Sequence, residues 1–387
     1  MTEMAFRGAP PRRADTSLLE DWWRSVDRWS LGAMLVLCAA GIVLGLAASP
    51  PLALKNDLHT YHYVLRQVVF TGVAVGAMVA VSMLPLQLIR RAGLIGFALF
   101  LVLTAALPWL GTDFGKGAVR WYSLGFASLQ PSEFLKPAFV IVTAWLMAGA
   151  TQAGGPPGRL ISGMMACTIA GLLALQPDFG QASLVMAVWT AMLFASGAPV
   201  AFLMVMGGLV AVAGTLAYIN SSHFAGRIDG YLAGSVDPTS QLGYAQAAIR
   251  EGGLFGVGAA QGSVKSTLPD AHTDFVIAVA AEEFGLLITL VVIGLYLLIT
   301  LRSMARVFEV RDPFLRLGGT GLAVLFGLQA FINFGVAIRL LPAKGMTLPF
   351  ISYGGSSALA AGLAAGALLA LTRTRRLDMA SDLRSRV

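Results

Sequence analysis

Apolar runs of about twenty residues recur along this chain from Leu31 to Leu371, and that recurrence leaves few folds open. A helix needs about 20 apolar residues to cross a bilayer core. Of the 387 residues, 57% are hydrophobic and only 12% charged, with a mean hydropathy of +0.75. Soluble domains carry about twice that share of charge. Strand-type alternation is absent, which argues against a membrane barrel. The sequence therefore predicts an all-α, polytopic membrane protein. Ten transmembrane helices are expected, over 31–48, 64–84, 92–109, 131–149, 159–175, 181–196, 200–219, 275–300, 318–341 and 352–371. The division around Gln176-Pro177-Asp178-Phe179-Gly180 also reads as one long broken helix.

Charge orients the spans. With both termini cytoplasmic, the inner segments hold 17 of the 27 Lys and Arg residues, from Arg7 through Arg28, Arg90, Arg91, Arg159, Arg302–Arg316 and Arg373–Arg386. That is the bias of the positive-inside rule. It explains the net charge of +7 without a nucleic-acid partner. Residues 1–30 form a cytoplasmic segment, 31–371 the membrane domain and 372–387 a cytoplasmic tail. The first segment does not read as a cleaved signal peptide. Ser17-Leu18-Leu19-Glu20 fits a capping box, and Leu19, Trp22, Trp23, Val26 and Trp29 follow at helical spacing. They read as a short helix lying on the membrane surface, or as an early start to the first span. The two cysteines, Cys38 and Cys167, lie in apolar runs, and the four His residues show no metal-ligand spacing.

Two long outer segments remain, at about 110–130 and 220–274. Function tends to sit on such loops. The larger one ends in Leu268-Pro269-Asp270-Ala271-His272-Thr273-Asp274-Phe275, so Asp274 stands at the mouth of the eighth span. A carboxylate there is costly and seldom idle, although Thr273 or Asp274 also suits a helix cap. Gly252, Gly253, Gly256, Gly258 and Gly262 make the middle of that loop permissive. With its basic residues, such a loop suits a diphosphate-bearing substrate.

Three further clusters are polar. Arg120-Trp121 is followed by Gln130-Pro131-Ser132-Glu133 and Lys136, with Pro131-Ser132 a plausible helix start. Glu133 and Lys136 share a helix face, either as a neutralising pair or lining a polar cavity. Asp178 is a cap for the sixth span or a site residue. Lys344-Gly345-Met346-Thr347-Leu348-Pro349 leads into Ser352-Tyr353-Gly354-Gly355-Ser356-Ser357, whose small residues also suit close helix packing. Nucleotide-binding glycine patterns are absent.

These stretches resemble the SEDS family (shape, elongation, division and sporulation). The resemblance rests on Arg120-Trp121, Gln130-Pro131-Ser132-Glu133 with Lys136, Gln176 through Gly180, Leu268 through Phe275, Ala280-Ala281-Glu282-Glu283-Phe284-Gly285 and Pro349 through Ser357, over about residues 30–371. Lys344 and Thr347 look like its division branch. The resemblance implies a peptidoglycan glycosyltransferase that polymerises lipid II during septal wall synthesis in the bacterial inner membrane. It implies a class B penicillin-binding protein and other division proteins as partners. Asp274 falls on the family's proposed catalytic position, and Trp121 on its important outer-loop Trp. There are departures. His223-Phe224-Ala225-Gly226-Arg227-Ile228 lacks the first Arg of the family's pattern, and Gln181 stands where Thr is usual.

On this reading Asp274 is the catalytic base that takes the acceptor hydroxyl's proton. Substrate contacts are expected from Arg120, Trp121, Gln130, Ser132, Glu133, Lys136, Lys265, His272, Thr273, Lys344 and Ser352. Arg120, Lys265 and Lys344 would offset the diphosphate charge, and Glu282 would pair structurally. No metal ligands are expected and no cofactor is called for, although a diphosphate leaving group is compatible with Mg2+ or Mn2+. Two other readings stand beside this one: a flippase for the same lipid, and a non-catalytic division scaffold.

Overall fold

The computed structural model describes residues 18–374 apart from 116–117, 126, 153, 233–236 and 343–344. Almost all of the ordered structure is helical. A short helix α1 (Leu18–Ser25) leads into α2 (Arg28–Ala48), a one-turn connector α3 (Pro50–Lys55), α4 (His62–Met83) and α5 (Leu86–Leu110). After the first outer segment come α6 (Pro131–Gly149), α7 (Gly158–Leu175), α8 (Phe179–Ala195) and α9 (Val200–Asn220). The 220–274 segment carries α10 (Ser222–Leu232) and α11 (Gln241–Gly252). Then follow α12 (Val276–Phe308), α13 (Pro313–Ala337) and α14 (Gly355–Leu371). Seven of the described helices are long and apolar enough to cross a membrane (α2, α4, α5, α6, α7, α12 and α13), while α8 and α14 are shorter apolar helices. α9 adds 21 residues of apolar helix.

Most expected span limits fall within a few residues of these helices, because long apolar runs and their prolines mark the ends, but α5 begins at Leu86 rather than 92, α13 at Pro313 rather than 318, and α12 runs on to Phe308 rather than 300. Pro131 occupies the first turn of α6 and Pro313 that of α13. There the missing N–H is no loss. Two features depart from a plain helical bundle. The first outer segment holds a small antiparallel hairpin, β1 (Tyr122–Ser123) against β2 (Ser128–Leu129), too short to leave an alternating pattern. The 220–274 segment is also not a flexible loop. Its α11 buries Ala245 and Ala248 in a cluster with Leu268, Ala271, Phe275, Ala278, Val279 and Val336.

The glycines of that segment permit close approach rather than freedom. A Cβ on Gly252 would sit 1.8 Å from the Ala281 carbonyl oxygen, and one on Gly256 (φ +81°) 2.1 Å from that of Glu283. The partner backbone is α12, which breaks at Gly285 (φ 80°, ψ 177°). The break frees amides and carbonyls that need partners. Residues 253–258 supply them. Leu286 N donates to Gly253 O (3.0 Å) and Leu287 N to Leu254 O (3.3 Å). In return Val257 N donates to Glu282 O (2.9 Å) and Gly258 N to Glu283 O (3.1 Å). The Glu282 side chain accepts from Val264 N (2.8 Å) and Lys265 N (3.0 Å), and the Lys265 ammonium is ion-paired with Glu283. Glu282, expected to pair structurally, instead accepts from main-chain amides, and the ion pair falls to its neighbour Glu283.

At the opposite end the termini are laced together. Asp27, 1% exposed, is held by Arg302 Nε (2.8 Å) and Arg306 Nη2 (3.3 Å). Arg373 Nε donates to Ser25 Oγ (2.9 Å), and Thr374 N to Ser25 O (3.1 Å). In α1, Trp22 is buried, its Nε1 donating to Ser82 Oγ (2.8 Å), and Val26 is buried just after the helix, whereas Leu19 and Trp23 stay exposed. The residues that the spacing grouped on one apolar face are thus divided between the protein interior and the exposed surface. Trp29 belongs to α2, and Ser17 lies outside the described residues.

Removing one member of a buried ion pair leaves an uncompensated charge, at about 3–5 kcal/mol. Lys265→Ala is expected to lower the thermal unfolding temperature in detergent markedly. Lys265→Met combined with Glu283→Leu is expected to recover most of the loss.

Candidate active site

Four sequence-distant stretches meet at one end of the bundle. The turn before α12 is the first. Asp270 takes a left-handed conformation (φ 54°), and its carbonyl accepts from Thr273 N (3.0 Å) and Asp274 N (3.1 Å). Left-handed backbone is tolerated by Asp better than by most residues. Buried Ala271 and Phe275 anchor the turn in the core cluster. Phe275 takes the N-cap position of α12 and offers no side-chain bond. Asp274, one residue further out and half-buried, is directed elsewhere. A Cβ on Gly345 would lie 2.9 Å from Asp274 Oδ2, so the carboxylate packs directly on the Gly345 backbone.

The second stretch is 345–357, tied to that turn by main-chain bonds. Tyr353 N donates to His272 O (2.8 Å), Ser352 Oγ donates to Thr273 O, and Leu348 N donates to Ser352 Oγ (2.8 Å). Ser352 is thus a brace between the two segments. The rings of Tyr63, His272 and Tyr353 form a triangle with centroids 5.4–5.7 Å apart. Burial pushes the Tyr353 hydroxyl's pKa up, and a hydrogen bond with Arg66 opposes it. Beneath the segment, Tyr296 donates to Pro349 O and Gln67 Nε2 to Ile351 O (3.1 Å). Lys344 lies outside the described residues.

The third and fourth stretches lock together. Arg120 donates to two carbonyls of the α7–α8 turn, Gln176 O (3.0 Å) and Pro177 O (2.9 Å), and lies 4.0 Å from Asp178. Asp178 does cap α8, accepting from Gln181 N (3.3 Å). Burial pushes its carboxyl up and the Arg120 charge pulls it down. Trp121 is half-buried, packed edge-on against Phe114, and its carbonyl accepts from Thr112 N (2.8 Å). Gln130 N donates to Ser356 Oγ (3.2 Å), joining the start of α6 to the start of α14. Ser132 is buried in the first turn of α6.

Glu133 and Lys136 form a buried pair (2.9 Å), and Gln181 completes it. Gln181 Nε2 donates to Glu133 Oε1 (2.9 Å), and Lys136 Nζ donates to Gln181 Oε1 (2.8 Å). The departure at Gln181 therefore has a physical account: a longer amide reaches both members of the ion pair. This network borders a narrow crevice of about 20 Å³, room for about one water, between α6, α13 and α14, walled by Leu322, Phe326 and Leu368 and touched by Gln329, Pro349 and Ser357. The contacts are those of a neutralised pair, and the crevice beside it is narrow and lined mostly by apolar side chains. Asp274 does not line this crevice. It is joined to it through the 345–352 segment and α13, where Gln329 Nε2 donates to Thr347 O (3.2 Å).

Lys265 sits apart from these groups. Its ammonium is buried against Glu283 and faces no outer surface. Position in a loop gave no sign of that partner. Sequence reading also passed over Gln329 and Asn333, single amides within an apolar helix, and Tyr63. The side chains of His223 and Arg227 are outside what the structure describes. Among the described residues no group of three or more His, Cys, Asp or Glu is placed to hold a metal ion, so no cation ligands are assigned.

The family model for the FtsW/RodA/SpoVE cell cycle proteins matches residues 28–377. The chain belongs to that family. A Caulobacter vibrioides protein named probable peptidoglycan glycosyltransferase FtsW is 40% identical over 94% of this chain and 93% of its own. One of the same name from Halorhodospira halophila is 36% identical over 90% of each. Among solved structures, a chain from a study of how a peptidoglycan synthase complex coordinates polymerization and crosslinking superposes with a TM-score of 0.75. It is 27% identical, covering 90% of this chain and 98% of that one. Thermus thermophilus rod shape determining protein RodA gives a TM-score of 0.66 at 26% identity, over 90% and 97%.

Gly345→Ala is expected to shift the Asp274 carboxylate, the side chain that the new Cβ would meet at 2.9 Å. The shift needed is about half an ångström, so the rate is expected to fall by less than the roughly 10²-fold that a 1 Å misplacement costs. The turnover of purified Gly345→Ala protein measures this, with thermal stability within a few degrees of the parent.

Proposed function

We propose that this chain is a peptidoglycan glycosyltransferase that polymerises lipid II during septal wall synthesis, with Asp274 as its general base. The observation that carries the reading is the position of that carboxylate. It is half-buried at the outer lip of α12 and pressed onto Gly345, in a turn braced by His272, Thr273 and Ser352.

The donor is a growing glycan on a lipid diphosphate, and the acceptor is a sugar hydroxyl of lipid II. Asp274 takes the hydroxyl proton as its oxygen attacks the anomeric carbon, and the diphosphate departs with inversion. A diphosphate leaves without a strong acid, so one carboxylate suffices where glycosidases use two. Of the cations expected to offset the leaving charge, Arg120 is engaged with the α7–α8 turn and Lys265 with Glu283. Lys344, next to Gly345 in sequence, is the remaining candidate. The Glu133–Lys136–Gln181 network holds α6 against α8 beside the Arg120-bearing segment.

The topology proposed is ten spans with both termini cytoplasmic. Residues assigned inside by charge come together at one end, as Asp27 with Arg302 and Arg306 and as Arg373 with Ser25. Those assigned outside, 120–136, 176–181 and 345–357, come together through Arg120, Lys136 and Ser356. A class B penicillin-binding protein is the proposed partner, supported by the likeness to a chain of a synthase complex that polymerises and crosslinks. Other division proteins and septal placement follow from the division-branch reading.

The break in α12 also suits a flippase. The product separates the two. A polymerase makes long glycan strands from lipid II in detergent, with no sealed bilayer. Asp274→Ala is expected to lower that polymerisation by about 10²–10⁴-fold, the usual contribution of a general base, with normal expression and partner binding. Parent-level strands from Asp274→Ala would remove the residue from the mechanism.

A further inference from the structure

Asn333 lies near the outer end of α13, 3% exposed, where an apolar side chain would be the ordinary choice. Its Nδ2 donates to two main-chain oxygens at once, Asp274 O (2.9 Å) and Met346 O (2.6 Å). Two carbonyls need donors, which fixes the orientation of the amide. Its Oδ1 is then buried with no hydrogen-bond partner. A buried polar atom without a partner is unfavourable, so packing alone does not account for an amide here.

The two oxygens it holds belong to the proposed base and to the residue after Gly345, the same pair of segments that bring Asp274 Oδ2 against the Gly345 backbone. We propose that Asn333 is a positioning residue for glycan transfer. It sets the spacing between the Asp274 carboxylate and the Gly345–Met346 segment by stapling both main chains to one rigid helix. The proposal rests on Asp274 being the base. It assigns Asn333 no contact with substrate.

Three variants test it in lipid II polymerisation by the purified protein with its crosslinking partner. Asn333→Leu keeps the volume and removes the donors. Its kcat is expected to fall roughly 10–100-fold, the scale of a misplaced catalytic group, with KM within about threefold of the parent. Asn333→Asp points a carboxyl at two carbonyls, an environment that favours the protonated form. Only that form donates. Its activity relative to the parent is therefore expected to be highest at low pH and to decline as pH rises. Asp274→Ala separates the two claims. If it polymerises like the parent, the base reading falls. If it is inactive while folded Asn333→Leu keeps the parent kcat, the positioning role alone falls. A loss in Asn333→Asp that is the same at every pH and tracks its loss of thermal stability would also overturn the proposal, leaving Asn333 a packing residue.

Discussion

A helix that breaks within a membrane must have its freed amides and carbonyls met by other protein groups, and one end of this fold is arranged around one such break. At Gly285 the backbone leaves helical geometry, and residues 253–258 lie against it, exchanging four main-chain bonds. Glu282 and Glu283 extend the clasp to Val264 and Lys265. The segment from Val276 to the break is therefore fixed at its inner end by the clasp. The turn just before it is fixed by Asn333 and the core packing of Ala271 and Phe275. Asp274 stands on that turn. Its reach is set by two anchors rather than by a free loop, as preorganised catalysis requires.

Among the described residues, buried charge joins distant elements in several places, Asp178 with Arg120 among them. Asp27 with Arg302 and Arg306 ties the first long helix to the far end of α12. Lys265 with Glu283 closes the clasp. Glu133, Lys136 and Gln181 join α6 to α8 and give the crevice its polar border. Each group is paired or hydrogen-bonded, as the cost of an isolated buried charge demands. Asp274 is half-buried at the start of α12, with Oδ2 against Gly345.

The helices could be read from the sequence because twenty-residue apolar runs, with prolines near their ends, leave one cheap arrangement in a bilayer. The turn before α12 and the Glu133–Lys136 pair could be read as well, since charges beside apolar runs are conspicuous. The interior of the 220–274 segment could not. Its helices α10 and α11 alternate small and polar residues, and its glycines look permissive until the α12 backbone is seen 2 Å from where a Cβ would stand. Lys265 read as a surface cation because spacing gives no hint of Glu283 eighteen residues later. Gln181 looked like a departure until its amide was found between Glu133 and Lys136. Asn333 is a single polar residue in an apolar helix, and its importance comes entirely from which main-chain oxygens lie beside it.

The central claim is that a negative carboxylate at position 274 takes a proton, rather than that the turn merely holds its shape. Chemical rescue measures this most directly. Cys38 and Cys167 are replaced by Ala and Asp274 by Cys, and the single thiol is alkylated with either iodoacetate or iodoacetamide before glycan polymerisation is measured. The account predicts an inactive Asp274→Cys protein, recovery with iodoacetate, which restores a carboxylate, and none with the neutral isostere. Equal recovery with both reagents, or full activity before alkylation, would contradict it.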